Sequence, residues 1–256
     1  PFASLISKKS ISNQCKKITL QIRGILTQEY CYSNKKDNLI IKIIKKFLYS
    51  RLEKKAYKPH KKIKTQIEVV GLVLGAYATD KFKVPIQNIT IAKHDIPRTI
   101  DKKIIQKWKS EIKEQLNLRK NTIAYCYIGS CKPWQCPEQI VSFFQNQYRK
   151  NNHSFLLVLT QDKNLFETLL SKTNISKNRW AVKTVENKDV YKYLSACDYG
   201  LIFRQKHIIN WTSRPTKVLE YQAVNLPIIH NNTIEILTRA CQPYGKFFIT
   251  NNRLKY

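Results

Sequence analysis

The sequence lacks methionine and is poor in acidic residues. There is no Met among 256 residues, and 17 Asp and Glu stand against 46 Lys and Arg. Because Met is absent and the chain starts at Pro1, we expect a piece of a longer protein. The formal net charge of +29 favours a polyanionic partner, either nucleic acid or an anionic membrane surface. AT-rich codons, which favour Lys, Asn, Ile and Tyr, would explain the excess equally well.

The cysteine spacing and the short apolar runs argue against a zinc protein and against a membrane-spanning or secreted one. The seven cysteines form no Cys-x-x-Cys pair, which argues against a zinc site and predicts reduced, mostly buried thiols in a cytosolic protein. Their positions are Cys15, Cys31, Cys126, Cys131, Cys136, Cys197 and Cys241. No apolar run reaches the ~20 residues that span a bilayer, and no signal peptide is recognisable.

Common catalytic and nucleotide-binding patterns are also missing. There is no Gly-x-Gly-x-x-Gly and no Walker sequence. No Ser/His/Asp or Cys/His arrangement and no carboxylate pair for hydrolysis is evident. His94 and His230 are each either a general base or a structural residue.

The first part of the chain is predicted to be a small α/β region. Its basic helix, 37–56, carries apolar residues at helical spacing and lysines on the other face. Such a helix either lies on anionic lipid or is an ordinary surface helix. Around it we predict a strand at 18–22, a link at 57–66, a strand then a helix within 67–82, a strand at 89–92 and a helix at 101–118. We place the domain boundary between 98 and 99.

From residue 121 the predicted strands and helices alternate. This order is typical of βαβ units, so it predicts a parallel sheet with right-handed crossovers and a ligand site at the carboxyl ends of the strands. The predicted strands are 122–128, 154–160, 180–185, 199–203 and 226–230. The predicted helices are 137–150, 164–171, 189–197 and 215–224, and 204–214 is predicted to be a loop.

The stretch 213–229 reads as a loop, a helix and a buried strand. Ser213 is a suitable helix N-cap, and Asn225 can take the left-handed C-terminal cap. Thr216 and Lys217 would then lie at the positive end of the helix dipole, which binds phosphate. Glu220, one turn further on, either accepts hydrogen bonds from ribose hydroxyls or pairs with Lys217.

Two other segments place phosphate-binding groups at the same edge. Gly129-Ser130 follows the first strand, where Gly129 lets the backbone approach a ligand and Lys132 can face a phosphate. Arg204 closes a later strand and can hold a pyrophosphate through two hydrogen bonds. Read alone, the first segment could be a plain βα turn and the second a surface arginine.

Several segments resemble GT-B glycosyltransferases, most closely the large retaining family 4. The stretch Arg214-Pro-Thr-Lys-Val-Leu-Glu-Tyr221 with Leu226-Pro-Ile-Ile229 is similar to that family's donor-binding motif. Val190–Leu201 is similar to its helix-and-strand segment, and Tyr127–Gln135 to its first glycine loop. Arg23-Gly24 with Glu29, and Glu53–Tyr57, resemble parts of the acceptor-side domain. The chain departs from the family pattern at Gln21, Thr212 and Asn225.

The resemblance implies a fold, a reaction and a site. The fold is GT-B-like α/β, with a Rossmann-type donor domain at 99–256 preceded by a partial acceptor-side domain at 1–98. The reaction is transfer of a sugar, as a retaining hexosyltransferase, from a nucleotide-diphosphate sugar to a glycan or lipid-linked acceptor in polysaccharide biosynthesis. It needs no metal, cofactor or protein nucleophile. Gly129, Ser130, Lys132, Arg204, Ser213, Thr216, Lys217 and Glu220 would bind the donor.

The resemblance also implies a place in the cell and leaves two alternatives. A cytoplasmic protein, peripheral on the inner face of the membrane, would reach a membrane-bound acceptor through its basic residues. One alternative is a basic nucleic-acid-binding module, although aromatic residues interleaved with basic ones are not concentrated anywhere. The other is a catalytically inactive glycosyltransferase-like subunit.

Overall fold

The chain divides into two compact units. A computed structural model describes residues 16–33, 38–57, 64–92 and 99–251. The first unit comprises Pro1–His94 with His207–Arg214, and the second Asp95–Lys206 with Pro215–Tyr256. The boundary predicted between 98 and 99 adjoins residues 93–98, which are outside the described ranges.

Helices and strands follow one another in this order along the described residues. The helices are α1 (Leu26–Ser33), α2 (Leu39–Tyr57), α3 (Leu72–Phe82), α4 (Lys102–Gln115), α5 (Pro137–Lys150), α6 (Lys163–Ser171), α7 (Val190–Ser195), α8 (Ile208–Trp211), α9 (Thr216–Ala223) and α10 (Glu235–Thr238). The strands are β1 (Lys17–Ile22), β2 (Lys64–Val69), β3 (Ile89–Ile91), β4 (Ile123–Ile128), β5 (Ser154–Leu159), β6 (Trp180–Lys183), β7 (Tyr199–Ile202), β8 (Ile228–His230), β9 (Cys241–Tyr244) and β10 (Phe247–Thr250).

The first unit is built on a parallel sheet of order β1-β2-β3. Its strands run in register, with Leu20 opposite Ile67 and Ile67 opposite Ile89. The strand and helix predicted at 18–22 and 37–56 are confirmed by β1 and α2. The predicted link at 57–66 is too long, because β2 already begins at Lys64 and pairs with β1 along its whole length.

Two acidic residues of the first unit lie close enough to interact. Glu53 is buried and its Oε2 accepts a 2.6 Å hydrogen bond from Thr27 Oγ1. The carboxyl group of Glu29 lies against Gly24, where a Cβ atom would collide with it. Burial, and next the charge of Glu53, raise the pKa of Glu29. Glu53 is therefore packed within the unit, whereas Glu29 is exposed and contacts Gly24.

The second unit is a seven-stranded sheet of order β6-β5-β4-β7-β8-β10-β9. The first five strands are parallel, as predicted, and helices alternate with them. Every residue of β5 is buried, as expected of a strand covered on both faces. One apolar cluster contains Ala124, Cys126 and Leu157, and the other Tyr125, Tyr127 and Leu156, so alternate residues of β4 and β5 serve two separate cores.

Beyond the predicted parallel strands, the sheet gains two antiparallel strands at one edge. β10 pairs antiparallel with both β8 and β9, so the sheet is mixed. The β9–β10 hairpin turns at Gly245 and Lys246, and Gly245 has φ 61°. A two-residue hairpin requires a positive φ, which glycine adopts without strain. Strands joined this way do not follow the strand–helix alternation on which the prediction rested.

Two features hold α9 against the sheet. The ring of Tyr221 lies on Gly200 of β7, where a Cβ atom would come within 2.8 Å of the ring. The hydroxyl of Tyr221 accepts from the amide of Ile128 at 3.2 Å and lies 3.2 Å from the carbonyl of Leu201. The same buried side chain therefore ties the helix to β4 and β7 at the edge where β4 ends.

The C-terminal end of α9 confirms the predicted left-handed cap. Asn225 has φ 56°, its amide donates to the carbonyl of Gln222 at 3.1 Å, and the amide of Leu226 donates to that of Tyr221 at 2.9 Å. These two bonds form a Schellman motif, which satisfies the last carbonyls of a helix. Asn is one of the few residues besides Gly that adopt this conformation readily.

The segment 204–214 is not a simple loop. It contains the four-residue helix α8, whose first turn is capped by His207 Nδ1 accepting from the amide of Ile209 at 3.3 Å. Such a short helix leaves no periodic pattern in a sequence. Within the described ranges, no helix is both long and apolar enough to cross a membrane.

Candidate functional site

An open pocket of ≈ 420 Å³ lies in the second unit at the carboxyl ends of its parallel strands. The ends of β4 and β5, the residue after β7 and the first turn of α9 contribute to its lining. This is the edge at which open α/β sheets bind their ligands. Six of the eight predicted donor-binding residues line the pocket: Gly129, Ser130, Arg204, Thr216, Lys217 and Glu220.

The other two predicted residues point elsewhere. Lys132 Nζ lies 5.1 Å from the centre of the Trp134 ring, and Lys132 is not among the residues that line the pocket. Ser213 belongs to the first unit, and its Oγ donates to the carbonyl of Asn210 at 2.8 Å. Ser213 is therefore not the helix N-cap that the sequence predicts. The N-cap is Pro215, and α9 starts at Thr216.

The first turn of α9 brings its backbone to the pocket. Pro215, Thr216 and Lys217 all line it. The first N–H groups of a helix have no acceptor within the helix and carry the positive end of its dipole. This part of the lining therefore favours an anionic group of the size of a phosphate.

Lys217 is the most deeply placed cation of the site. Only 8% of the residue is exposed, and its Nζ donates to Gln135 Oε1 at 2.7 Å. The ammonium also lies 4.5 Å from the centre of the Tyr127 ring, a distance at which a cation is attracted to the ring face. Burial, and next the charge of Arg204, hold the pKa of Lys217 well below its usual value, while Glu220 acts in the opposite direction.

Gly129 makes room for this lysine. Its φ of 137° is one that other residues rarely adopt. A Cβ atom built there would lie 2.6 Å from Lys217 Nζ and 2.8 Å from Gln135 Oε1. Both the backbone conformation and the lack of space therefore require glycine at this position.

Arg204 supplies a second buried cation, and Asn231 holds its backbone. Asn231 Oδ1 accepts from the amide of Arg204 at 3.1 Å, and Nδ2 donates to its carbonyl at 2.7 Å. Arg204 is 9% exposed, so it is not the surface arginine of the alternative interpretation. Two cations buried at one pocket repel each other, and a bound anion would relieve that repulsion.

Glu220 also lines the pocket and is partly buried. Burial raises the pKa of this carboxyl group, and the nearby charge of Lys217 lowers it. Thr160, Gln161 and Asn187 also line the pocket and add polar groups. A carboxylate one helical turn from a phosphate-binding helix start is suited to accept hydrogen bonds from vicinal hydroxyls, as in ribose.

Gln135 is the main site residue that sequence reasoning missed. It connects Lys217, Tyr127 and Ser130 through side-chain hydrogen bonds. The residue belongs to the segment that resembles a glycine loop, but glutamine there carries no recognisable motif. Asn231 was missed for the same reason, since its role depends on contacts with distant parts of the chain.

Among the described residues, no cysteine or histidine lines this pocket. Six cysteines are free thiols, of which Cys126 and Cys197 are buried; the other four are partly exposed, contrary to the prediction of mostly buried thiols. Cys15, His60 and His94 are outside the described residues. Among the residues that are described, no three His, Cys, Asp or Glu side chains are grouped so that they could hold a metal ion.

His230 is structural rather than a general base. Its Nδ1 accepts from the amide of Asn232 at 3.2 Å, so the ring proton lies on Nε2, which is 3.0 Å from Thr250 Oγ1. Thr250 in turn donates to the carbonyl of Leu237 at 2.9 Å. Burial lowers the pKa of His230 to about 4, so the ring is neutral at physiological pH.

Comparison with known proteins finds a likeness in structure alone. Searches with protein-family models and against curated sequences return no match. WaaG, described as a glycosyltransferase involved in lipopolysaccharide biosynthesis, superposes with a TM-score of 0.63 at 15% identity, over 89% of this chain and 62% of that one. Sucrose-phosphate synthase from Thermosynechococcus elongatus gives 0.54 at 12% identity, over 87% and 52%.

A third solved structure has the same architecture. It is a glycosyltransferase from Rickettsia africae ESF-5, with a TM-score of 0.50 at 11% identity, over 88% of this chain and 81% of that one. The chain thus spans between about half and three-fifths of the first two proteins, 52% and 62%. At these identities the matches establish the fold and no more. The chain has a GT-B-like α/β fold, the fold of the glycosyltransferases that it matches in structure.

Proposed function

We propose that the parent protein of this chain is a glycosyltransferase that takes a sugar from a nucleotide-diphosphate donor. The observation that carries the proposal is the pairing of two buried cations, Lys217 and Arg204, at a helix start. These groups would hold the donor's diphosphate, and Glu220 would hold its ribose. The GT-B-like fold supports the assignment, because it places this pocket where such folds expose the ends of their strands.

The reaction follows from positioning and electrostatics. As the bond between sugar and diphosphate breaks, negative charge grows on the leaving diphosphate. Buried cations and helix N–H groups stabilise that charge more strongly in the transition state than in the bound donor. No protein nucleophile is needed for this step. We extend the proposal to a retaining hexosyltransferase that acts on a glycan or lipid-linked acceptor in polysaccharide biosynthesis.

Calorimetric titration of the intact protein with nucleoside diphosphates tests the proposal. We expect one of UDP, GDP or ADP to bind. Lys217→Ala should lower the affinity for that diphosphate by about tenfold or more, which is the size of effect expected when a charged hydrogen bond is lost. Glu220→Ala should lower the affinity for both the diphosphate and the nucleoside. The matched control is Lys163→Ala, an exposed lysine on α6 that does not line the pocket. Absence of binding by every nucleotide, or equal affinity in all variants, would sink the proposal.

We also propose that α2 brings the protein to an anionic membrane surface. Six of its apolar side chains, Leu39, Ile40, Ile43, Ile44, Phe47 and Leu48, are between 52% and 72% exposed. Lys42, Lys45 and Lys46 alternate with them along the helix. Apolar side chains next to lysines match a lipid interface, since the former enter the acyl boundary and the latter attract anionic headgroups.

Sedimentation with lipid vesicles tests this surface. We expect binding to phosphatidylglycerol vesicles, weaker binding to phosphatidylcholine vesicles, and loss of both in the double variant Ile40→Glu, Phe47→Glu. The matched control is Leu165→Glu, which alters a side chain 56% exposed on α6 of the second unit. Failure of the unaltered protein to sediment with anionic vesicles at low salt would refute the proposal. The proposal would also be refuted if Leu165→Glu lost as much vesicle binding as the double variant.

A further inference from the structure

Gln135 joins two parts of the candidate site that come from different elements. Its Oε1 lies 2.7 Å from Lys217 Nζ on α9 and 2.7 Å from the hydroxyl of Tyr127 on β4. Its Nε2 donates to Ser130 Oγ at 2.8 Å. An ammonium group can only donate hydrogen bonds, so the amide oxygen must face Lys217 and the amide nitrogen Ser130. Chemistry therefore determines the orientation of the amide.

The other neighbours of Lys217 restrict where its ammonium can lie. The Tyr127 ring is on one side, 4.5 Å away, and the backbone of Gly129 is close enough to exclude a Cβ atom. The charge of Arg204 repels the ammonium, since it lowers the pKa of Lys217. Gln135 therefore supplies an attractive contact that keeps Nζ at the pocket instead of letting it turn away from Arg204.

The chemical type of Gln135 is as informative as its position. Glutamate has nearly the same shape and would hold the lysine more strongly, but it would also cancel the lysine's charge. A neutral amide accepts the hydrogen bond and leaves the positive charge available. An anion-binding site needs that property.

We propose that Gln135 is a positioning residue for donor binding, which directs the Lys217 ammonium into the pocket without neutralising it. The inference rests on the proposed function, because it names the donor's diphosphate as the anion that Lys217 meets. Gln135 itself lines the pocket, and the role that we assign to it is exerted through Lys217 and Ser130.

The test separates charge from shape at position 135. Gln135→Glu keeps the shape and adds a carboxylate, while Gln135→Met keeps the approximate length and removes the amide. Gln106→Glu is the matched control, since Gln106 is exposed on α4 and outside the pocket lining. Each protein is titrated with the nucleoside diphosphate that the unaltered protein binds best and with the corresponding nucleoside, at two salt concentrations.

We expect Gln135→Glu to lower the affinity for the nucleoside diphosphate by about tenfold or more, while the affinity for the nucleoside changes by less than about twofold. The salt dependence of diphosphate binding should also become shallower, because one cation of the site is paired. Gln135→Met should weaken the diphosphate by a smaller factor, and Gln106→Glu should match the unaltered protein.

Three results distinguish the possible failures. If the unaltered protein binds no nucleoside diphosphate, the proposed function fails, and the inference fails with it. If it binds the diphosphate and Gln135→Glu binds equally well, the inference alone is overturned. If the affinities for the nucleoside and the diphosphate fall by the same factor, Gln135 only maintains the fold of the loop. Should Gln135→Glu not fold by circular dichroism, the same criterion of diphosphate loss without nucleoside loss applies to Gln135→Met.

Discussion

Helices α2 and α5 both carry apolar residues at helical spacing, but the surroundings of those residues are opposite. In α5 the apolar residues Ile140, Phe143 and Phe144 are at most 2% exposed and pack against the sheet of the second unit. In α2 the apolar residues from Leu39 to Leu48 are exposed, and the buried residues near its end are Glu53 and Tyr57. Helical periodicity thus predicts that a helix has an apolar face, but not what covers that face.

The difference has a physical basis. α5 lies between two strands of a parallel sheet, and such a crossover must return across the sheet surface and bury its apolar face there. α2 also lies in a connection between parallel strands, β1 and β2, but the residues that it buries are Glu53 and Tyr57 near its end, and its first half stays exposed. Its lysines keep the exposed helix hydrated, and the apolar residues between them form the surface for which we propose a lipid partner.

The largest expected effect would test this contrast with the same substitution on both helices. Phe144→Ala should lower the free energy of unfolding by about 3–5 kcal/mol, because it removes a fully buried ring and leaves a cavity. Phe47→Ala, at 59% exposure, should change it by less than about 0.5 kcal/mol. Urea unfolding followed by circular dichroism measures both. Similar losses for the two variants would mean that α2 is covered as α5 is.

A second effect concerns the buried polar group of the second unit. The pKa of His230 is lowered to about 4 in the folded state, below its usual 6.5. The unfolded chain therefore takes up a proton first, and stability that is present above pH 6.5 is lost as the pH falls towards 4. We expect this residue to account for a loss of about 3 kcal/mol over that window.

Unfolding measured at several pH values between 7 and 4 tests this effect, with His230→Gln as the variant. The variant cannot titrate at this position, so its unfolding free energy should depend less on pH than that of the unaltered protein. Parallel curves for the two proteins would contradict the assignment. Tryptophan fluorescence follows mainly the second unit, which contains Trp108, Trp134 and Trp180.

The smallest expected effect compares how helices end in the two units. Lys83 closes α3 with φ 56°, and Asn225 follows α9 with the same φ. A side chain other than Asn is strained there, so Lys83→Gly should raise the unfolding free energy by about 1 kcal/mol. Asn225→Gly should raise it less, by under about 0.5 kcal/mol, because Asn adopts this conformation readily. Thermal unfolding of both variants measures these changes. Equal rises in stability for Lys83→Gly and Asn225→Gly would contradict the prediction.

The predictions from sequence succeeded where a local pattern and the fold required the same structure. The alternation after residue 121 predicted strands β4 to β8 and helices α5, α6, α7 and α9, and Asn225 was predicted as a left-handed cap. They failed at α8, at the β9–β10 hairpin and at Ser213. These features depend on four-residue elements or on hydrogen bonds to a neighbouring segment, and such features leave no periodic pattern.

The candidate site divides in the same way. The stretch 213–229 predicted that Thr216, Lys217 and Glu220 lie at a helix start beside the end of a sheet, because capping and strand order follow from local sequence. The tertiary structure alone decided that Lys217 and Arg204 are buried together, that Lys132 turns away to Trp134, and that Gln135 holds the lysine. Burial and charge repulsion arise between residues far apart in the chain, so the sequence by itself determines which groups reach this edge, and packing determines how they act there.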